Sequence, residues 1–266
     1  VYSDNPPPEL RCAEAIVDAD RGDLKAAVER LKKLVEDEPN YYPAWTLLAD
    51  WYRLLESNGD YLKAAQEMVR LVPHRAVPLG YLADAQMLTG DLKSAKETLR
   101  HAMTLDPAYE FAGTALFDLQ LQDYELDDAE ETLKVLRQQI GGDAATVRDL
   151  KLAGKRKQFD IAREHFKTLC LSQTDDSRFI AEALEADMET DWKAQAFRVV
   201  EEVMGLQDAN PNLGVFYVEH CERKKHWESC GRKLRALPEH NALWRRAVNA
   251  YLEALEKAGE KHKARQ

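Results

Sequence analysis

No apolar run in this chain approaches the roughly 18 to 20 residues that a membrane-spanning helix needs, so no membrane span is expected. Cysteine is scarce, with Cys12, Cys170, Cys221 and Cys230 the four present in 266 residues. That density excludes a disulfide-stapled miniprotein and favours a reducing compartment. A cytoplasmic location is expected on that ground, with the periplasm as the alternative. The signatures of chemistry are also missing: no glycine-rich phosphate loop, HExxH, GxSxG or CxxC occurs. The seven histidines are scattered, and the adjacent acids Glu130-Glu131 and Glu201-Glu202 do not face each other on a helix. No catalytic residue and no cofactor are therefore assigned, and the chain alone is not expected to be an enzyme.

With 45% hydrophobic and 32% charged residues, the chain can bury a sizeable core, which excludes a disordered polypeptide. The formal net charge of −10 is unevenly spread. Residues 1–140 hold 26 acids and 15 bases, a balance of −11; residues 141–266 hold 21 acids and 22 bases, a balance of +1. An acidic surface repels a phosphate backbone, so nucleic acid is disfavoured and a basic or amphipathic protein segment is the expected partner. Position 1 is Val, and Val1 to Pro8 has neither a charged nor an apolar leader region. The chain is expected to begin inside a longer precursor.

Internal periodicity is the strongest signal. Pro39, Pro73 and Pro107 are 34 residues apart, and Leu48, Leu82 and Leu116 keep the same step. Each unit reads as two amphipathic helices, with no strand pattern anywhere. In the best unit Trp45, Leu48 and Tyr52 form one stripe, and Pro43 suits a first helical turn. Gly59-Asp60 is expected to break that unit, with Glu56-Ser57-Asn58 as a three-residue insertion offset by a shorter second helix from Tyr61 to Leu71.

At Trp45, Leu48, Ala49, Tyr52, Ala64, Met68 and Pro73 the sequence resembles the tetratricopeptide repeat family. The departures are Gly113 in place of a large residue, and Gln86 and Gln120 in place of aromatics. The resemblance implies an all-α, right-handed superhelical solenoid of about seven helical hairpins, in which the first helix of each hairpin lines a concave, ligand-binding face. The expected division is an N-terminal extension over 1–7 and a single solenoid over 8–266. Its best-matched repeats are 42–75, 76–109 and 110–143; degenerate repeats follow over 144–240, and a capping helix over 241–266.

The repeat phase places Thr46, Leu47, Asp50, Arg53, Val77, Tyr81, Asp84, Met87, Leu88, Phe111, Thr114, Asp118 and Gln122 on that inner face. Asp50, Asp84 and Asp118, spaced by 34, would form a ladder of carboxylates able to pair with a basic peptide. The plainer reading is that copied repeats share solvated aspartates. The Lys and Asn side chains with which some relatives clamp a C-terminal carboxylate are absent from this surface. Arg148, Lys151, Lys155, Arg156 and Lys157 form one basic cluster and Arg223, Lys224 and Lys225 another; each could meet an acidic segment or a membrane surface, and the plainer reading is a solvated face. Cys221, His226 and Cys230 look like metal ligands, but both cysteines fall at core positions, and no metal site is assigned.

The expected function is a non-catalytic scaffold that binds a protein or peptide segment in its groove. The alternatives are a regulatory or substrate-recruiting part of a larger enzyme, and a periplasmic scaffold of an exopolysaccharide export or envelope assembly system.

Overall fold

A computed structural model describes residues 6–172, 176–188, 192–206, 208–237, 242–260 and 262–263, and among them the regular structure is helical. In chain order the first helices are α1 (Pro8–Asp20), α2 (Leu24–Asp37), α3 (Tyr42–Leu54), α4 (Asn58–Leu71), α5 (Ala76–Leu88), α6 (Leu92–Leu105), α7 (Glu110–Gln122) and α8 (Leu126–Leu136). They continue as α9 (Gly142–Lys155), α10 (Phe159–Cys170), α11 (Arg178–Leu184), α12 (Trp192–Val203), α13 (Leu213–Lys224), α14 (Trp227–Arg235) and α15 (Ala242–Lys257). The starts of α1, α3, α5 and α7 are 34 residues apart, as are those of α2, α4, α6 and α8. Residues 1–5 of the expected N-terminal extension lie outside the described residues, as do the ends of the expected repeat and cap near Pro238 and Gln266.

The local chemistry explains the boundaries. Proline stands in the first turn of α1 and α3, where a missing N–H costs nothing. The Asp23 carboxylate accepts the Ala26 N–H at 3.0 Å, and the Asp91 carboxylate accepts that of Ser94 at 3.1 Å, capping α2 and α6. Between the two helices of a pair one residue takes the left-handed conformation: Gly22, Glu56, Gly90 and Tyr124, at φ of 89°, 55°, 84° and 58°. Those positions are again 34 apart. Lys157, Lys225 and Gly259 complete the set of positive-φ residues among those described. This residue reverses the chain and frees the next N–H to bond back to the preceding helix, as Ser57 does to the Tyr52 carbonyl.

The turn corrects the expected insertion. Gly59-Asp60 does not break the chain: both residues lie in the first turn of α4, and the true reversal is Leu55-Glu56-Ser57, in register with Arg21-Gly22-Asp23 and Thr89-Gly90-Asp91. The difference has a packing origin. Ala27, Ala95 and Ala129 face the core with Leu31, Leu99 and Leu133 one turn later, whereas α4 swaps the sizes and presents Tyr61 and then Ala65, all of them buried. The large and the small residue exchange places by one turn, and both stay buried.

The chain divides into two compact units, residues 1–123 and 124–266, and the boundary falls inside the stretch 110–143 expected as one repeat. In the N-terminal unit, α1 to α4 close over a core that includes Leu31, Leu34, Leu48, Tyr61 and Met68; α5 to α7 close over Leu79, Leu99, Ala102 and Leu116. In the C-terminal unit the core runs from Val147 and Leu150 through Phe166, Trp192 and Val200 to Leu234 and Leu255. Helices α13 and α15 meet closely there: a Cβ added at Gly214 would lie 2.4 Å from Ala247 Cβ. Each fully buried Leu or Met adds about 1.5–3 kcal/mol, which is why the interior columns set the register.

Candidate functional site

In the N-terminal unit, side chains from α3, α4, α5 and the start of α7 converge on a concave pocket of about 260 Å³. Helix α3 contributes Asp50 and Arg53, one turn apart on the same face, and α5 contributes Gly80, Tyr81 and Asp84 at the same spacing. Tyr61 enters from α4, and Tyr109 and Phe111 enter from the head of α7. The Tyr81 hydroxyl donates to Asp50 Oδ1 at 2.8 Å. The Tyr61 hydroxyl donates to Asp84 Oδ2 at 3.0 Å, and Arg53 Nε donates to the same oxygen at 2.6 Å. Rings of Tyr61 and Tyr81 meet edge to face at 6.4 Å, and those of Tyr109 and Phe111 pack at 5.9 Å.

Gly80 makes the pocket possible. It lies inside a helix, where glycine is unfavourable, yet a Cβ there would sit 2.1 Å from the Tyr109 hydroxyl oxygen. Only a bare backbone lets that phenol lie across α5. Electrostatics keep the phenols neutral: burial and then the bond to Asp50 push Tyr81 up to about 12. Burial and the Asp84 charge push Tyr61 upward as well, and burial followed by Asp84 raises Tyr109. Arg53 is held still more firmly protonated by its bond to Asp84.

Five of the thirteen expected inner-face residues line this pocket: Asp50, Arg53, Tyr81, Asp84 and Phe111. The other eight do not line it. Thr46 donates to its own helix at the Tyr42 carbonyl, and Leu47 and Met87 pack against the two cores. Val77 and Leu88 are exposed, Thr114 is half-buried, and Asp118 and Gln122 are exposed. Asp50 and Asp84 have partners inside the protein, Tyr81 for the first and Arg53 with Tyr61 for the second, so neither is a bare rung. The second oxygen of Asp50, Oδ2, makes no hydrogen bond among the described residues. Tyr61 and Tyr109 were not foreseen; a Tyr at a repeat position otherwise held by Ala27, Ala95 and Ala129 was the available signal.

The first basic cluster is consumed internally. Arg148 is buried and donates to the Ala144 carbonyl at 2.8 Å; Lys151 pairs with Glu182 and Lys155 with Asp187; Arg156 pairs with Asp127 and Glu130. Cys221 and Cys230 are buried in the core, whereas His226 is the exposed residue preceding α14. Among the described residues no group of three or more His, Cys, Asp and Glu could hold a metal ion. No helix among them is long and apolar enough to cross a membrane.

No protein-family model matches the chain. It is 22% identical over 213 residues to the "TPR repeat-containing protein YpiA" of Bacillus subtilis (strain 168), a match that covers 79% of this chain and 50% of that protein. The chain thus aligns with half the length of this curated relative. Among solved structures it is similar to a tetratricopeptide repeat protein from Parabacteroides merdae ATCC 43184, with a TM-score of 0.64 and 17% identity over 92% of this chain and 98% of that one. The fold is the tetratricopeptide-repeat fold. YrrB, described as a TPR protein with an unusual peptide-binding site, shares it at a TM-score of 0.52 and 14% identity, over 71% of this chain and 90% of its own. Tetratricopeptide-repeat proteins in general offer their stacked hairpins as interaction surfaces rather than as catalysts.

Proposed function

We propose that the chain is a non-catalytic interaction scaffold and that the α3–α5–α7 pocket receives one basic side chain of an amphipathic peptide segment. The observation that carries this reading is the convergence of four aromatic rings and two carboxylates around a pocket in which Gly80 leaves room for the Tyr109 phenol. The lining holds two acids and one base, so a net negative charge faces the ligand. Asp50 Oδ2 has acceptor capacity to spare, and Phe111, 38% exposed, offers a ring face to a cation or to the methylenes behind it. A charge-assisted hydrogen bond adds about 1.5–3 kcal/mol and a cation over a ring about 0.5–2 kcal/mol, each enough to be read as a change in affinity.

A basic partner fits the net negative lining, and one pocket with two internally braced carboxylates stands in place of a three-rung ladder. A place within a larger protein remains compatible with it, because the curated relative is about twice as long as the matched segment. The test uses fluorescence anisotropy with a labelled Lys-Leu amphipathic peptide and its Glu-Leu counterpart. The Lys peptide should bind more tightly, and Asp50→Asn should weaken it about ten-fold, the equivalent of roughly 1.4 kcal/mol. Equal binding of the two peptides, or indifference to Asp50→Asn, would remove the pocket from the function.

A further inference from the structure

The C-terminal unit holds a larger cleft of opposite sign. Helices α12 and α13 diverge around a space of about 710 Å³, within the size range of sites that enclose most of an organic ligand. From α12 come Phe197 and Arg198; from α13 come His220, Arg223 and Lys224 at the i, i+3, i+4 spacing that puts them on one face. The floor presents the His220 ring, which is backed by the buried Phe197 in a stack with centroids 3.8 Å apart and planes 27° apart. Lys193 also lines the cleft but is paired with Glu185, and the lining holds a single acid, Glu201, against its cations.

Three further cations line the cleft. Arg198, Arg223 and Lys224 are exposed and make no ion pair or hydrogen bond among the described residues. This sets them apart from the basic cluster at Arg148–Lys157, where Arg148, Lys155 and Arg156 each have a partner within the unit. Unpaired cations over an apolar floor do not suit a small inorganic anion, which would leave the rings unused. They suit an organic polyanion that carries an apolar group between its charges. The half of the chain that holds the cleft, residues 141–266, is close to neutral at +1, with no bulk positive charge to track a phosphate backbone, so a short acidic segment fits the local cations better than a nucleic acid does.

We propose that the cleft between α12 and α13 is a second recognition site, for an acidic peptide segment with an aromatic residue among its carboxylates. The carboxylates pair with Arg198, Arg223 and Lys224 while the aromatic side chain lies on the Phe197–His220 floor. His220 reports occupancy. Burial lowers its proton affinity, Arg223 and Lys224 lower it further, His226 acts in the same direction, and Glu201 opposes them. An acidic ligand that offsets the two neighbouring cations moves the His220 titration back upward.

The experiment measures anisotropy of a fluorescein-labelled Glu-Phe-Glu-Glu-Phe-Glu peptide with the full chain, beside versions with Gln for Glu and with Ser for Phe. Both substituted peptides should bind at least ten-fold more weakly. The double variant Arg198→Glu/Arg223→Glu, at exposed positions that leave the core intact, should lose at least ten-fold, whereas Lys25→Glu on α2, the control for bulk charge, should lose less than two-fold. In NMR the His220 ring titration should move to higher pH on adding the acidic peptide. The proposal is overturned if the Lys25→Glu and double variants lose equally, if inorganic phosphate at equal charge displaces the peptide as well as the unlabelled peptide does, or if the His220 titration stays in place.

Discussion

Gly214 gives the sharpest test of how the C-terminal unit packs. In an open helix interior, Gly→Ala stabilises by about 0.5–1 kcal/mol through reduced backbone entropy of the unfolded chain. At Gly214 the new methyl would stand 2.4 Å from Ala247 Cβ, and 3.3 Å from both Ala247 Cα and the Leu243 carbonyl oxygen. Carbon atoms rest about 3.5–4.0 Å apart, so the shortfall exceeds about 1 Å. No side-chain rotation relieves it, since Ala247 is fully buried and its methyl is fixed to the backbone. Helices α13 and α15 must therefore separate, and overpacking of this kind costs about 1–3 kcal/mol. The net expectation for Gly214→Ala is a loss of about 1–2 kcal/mol. At about 2–4 °C per kcal/mol, thermal unfolding followed by circular dichroism at 222 nm should shift down by about 3–6 °C. Adding Ala247→Gly removes the opposing methyl and should recover part of the loss, although it places a second glycine in a helix, and that coupling marks a contact rather than a propensity effect. A Gly214→Ala protein melting at or above wild type would refute the close approach of the two helices.

Three other expectations concern the N-terminal unit. Glu56→Gly should stabilise by about 0.5–1 kcal/mol, because it relieves a left-handed residue at φ 55° at the position that Gly22 and Gly90 fill, and denaturant titration reads the gain directly. Absorbance at 295 nm should show the ten tyrosines titrating in more than one step, with Tyr81 near pH 12 and Tyr61 also late. Because these folded-state values are raised above the unfolded value near 10, their contribution to stability is complete below pH 10 and lost as pH climbs through about 12. Gly80→Ala should push Tyr109 out of the pocket and abolish preference for the Lys-Leu peptide while the helical content at 222 nm stays within a few per cent of wild type; unchanged preference would show that Tyr109 does not shape the site.

The helix boundaries were largely legible in the sequence, because the 34-residue step of Pro39, Pro73 and Pro107 is the same step that separates α3, α5 and α7. The turn at Leu55-Glu56-Ser57 was not, since glycine is the usual sign of a left-handed residue and the chain places Glu there while putting Gly59 inside α4. The site was half legible. Repeat phase put Asp50, Tyr81 and Asp84 on one face, and all three line the α3–α5–α7 pocket, but phase says which way a side chain leaves its own helix and nothing about what reaches it from the next one. Tyr61 and Tyr109 arrive from other helices, and Arg53 turned out to brace Asp84 across 31 residues of sequence. In the same way Arg223 and Arg156 read alike in the sequence; packing pairs Arg156 with the carboxylates of Asp127 and Glu130, and gives Arg223 no ion pair among the described residues.

The left-handed residue between the two helices of a pair, at Gly22, Glu56, Gly90 and Tyr124, works as an index mark for the helix that follows it. Losing or gaining one residue beside Gly90 would rotate α6 by about 100° about its own axis and swing Leu99 and Ala102 away from their seats. Single-residue length changes at these bends are therefore structurally forbidden steps, whereas a whole helical pair can be inserted or removed with the downstream phase preserved. Growth and shrinkage of such a chain come in modules, and its turns enforce the module size.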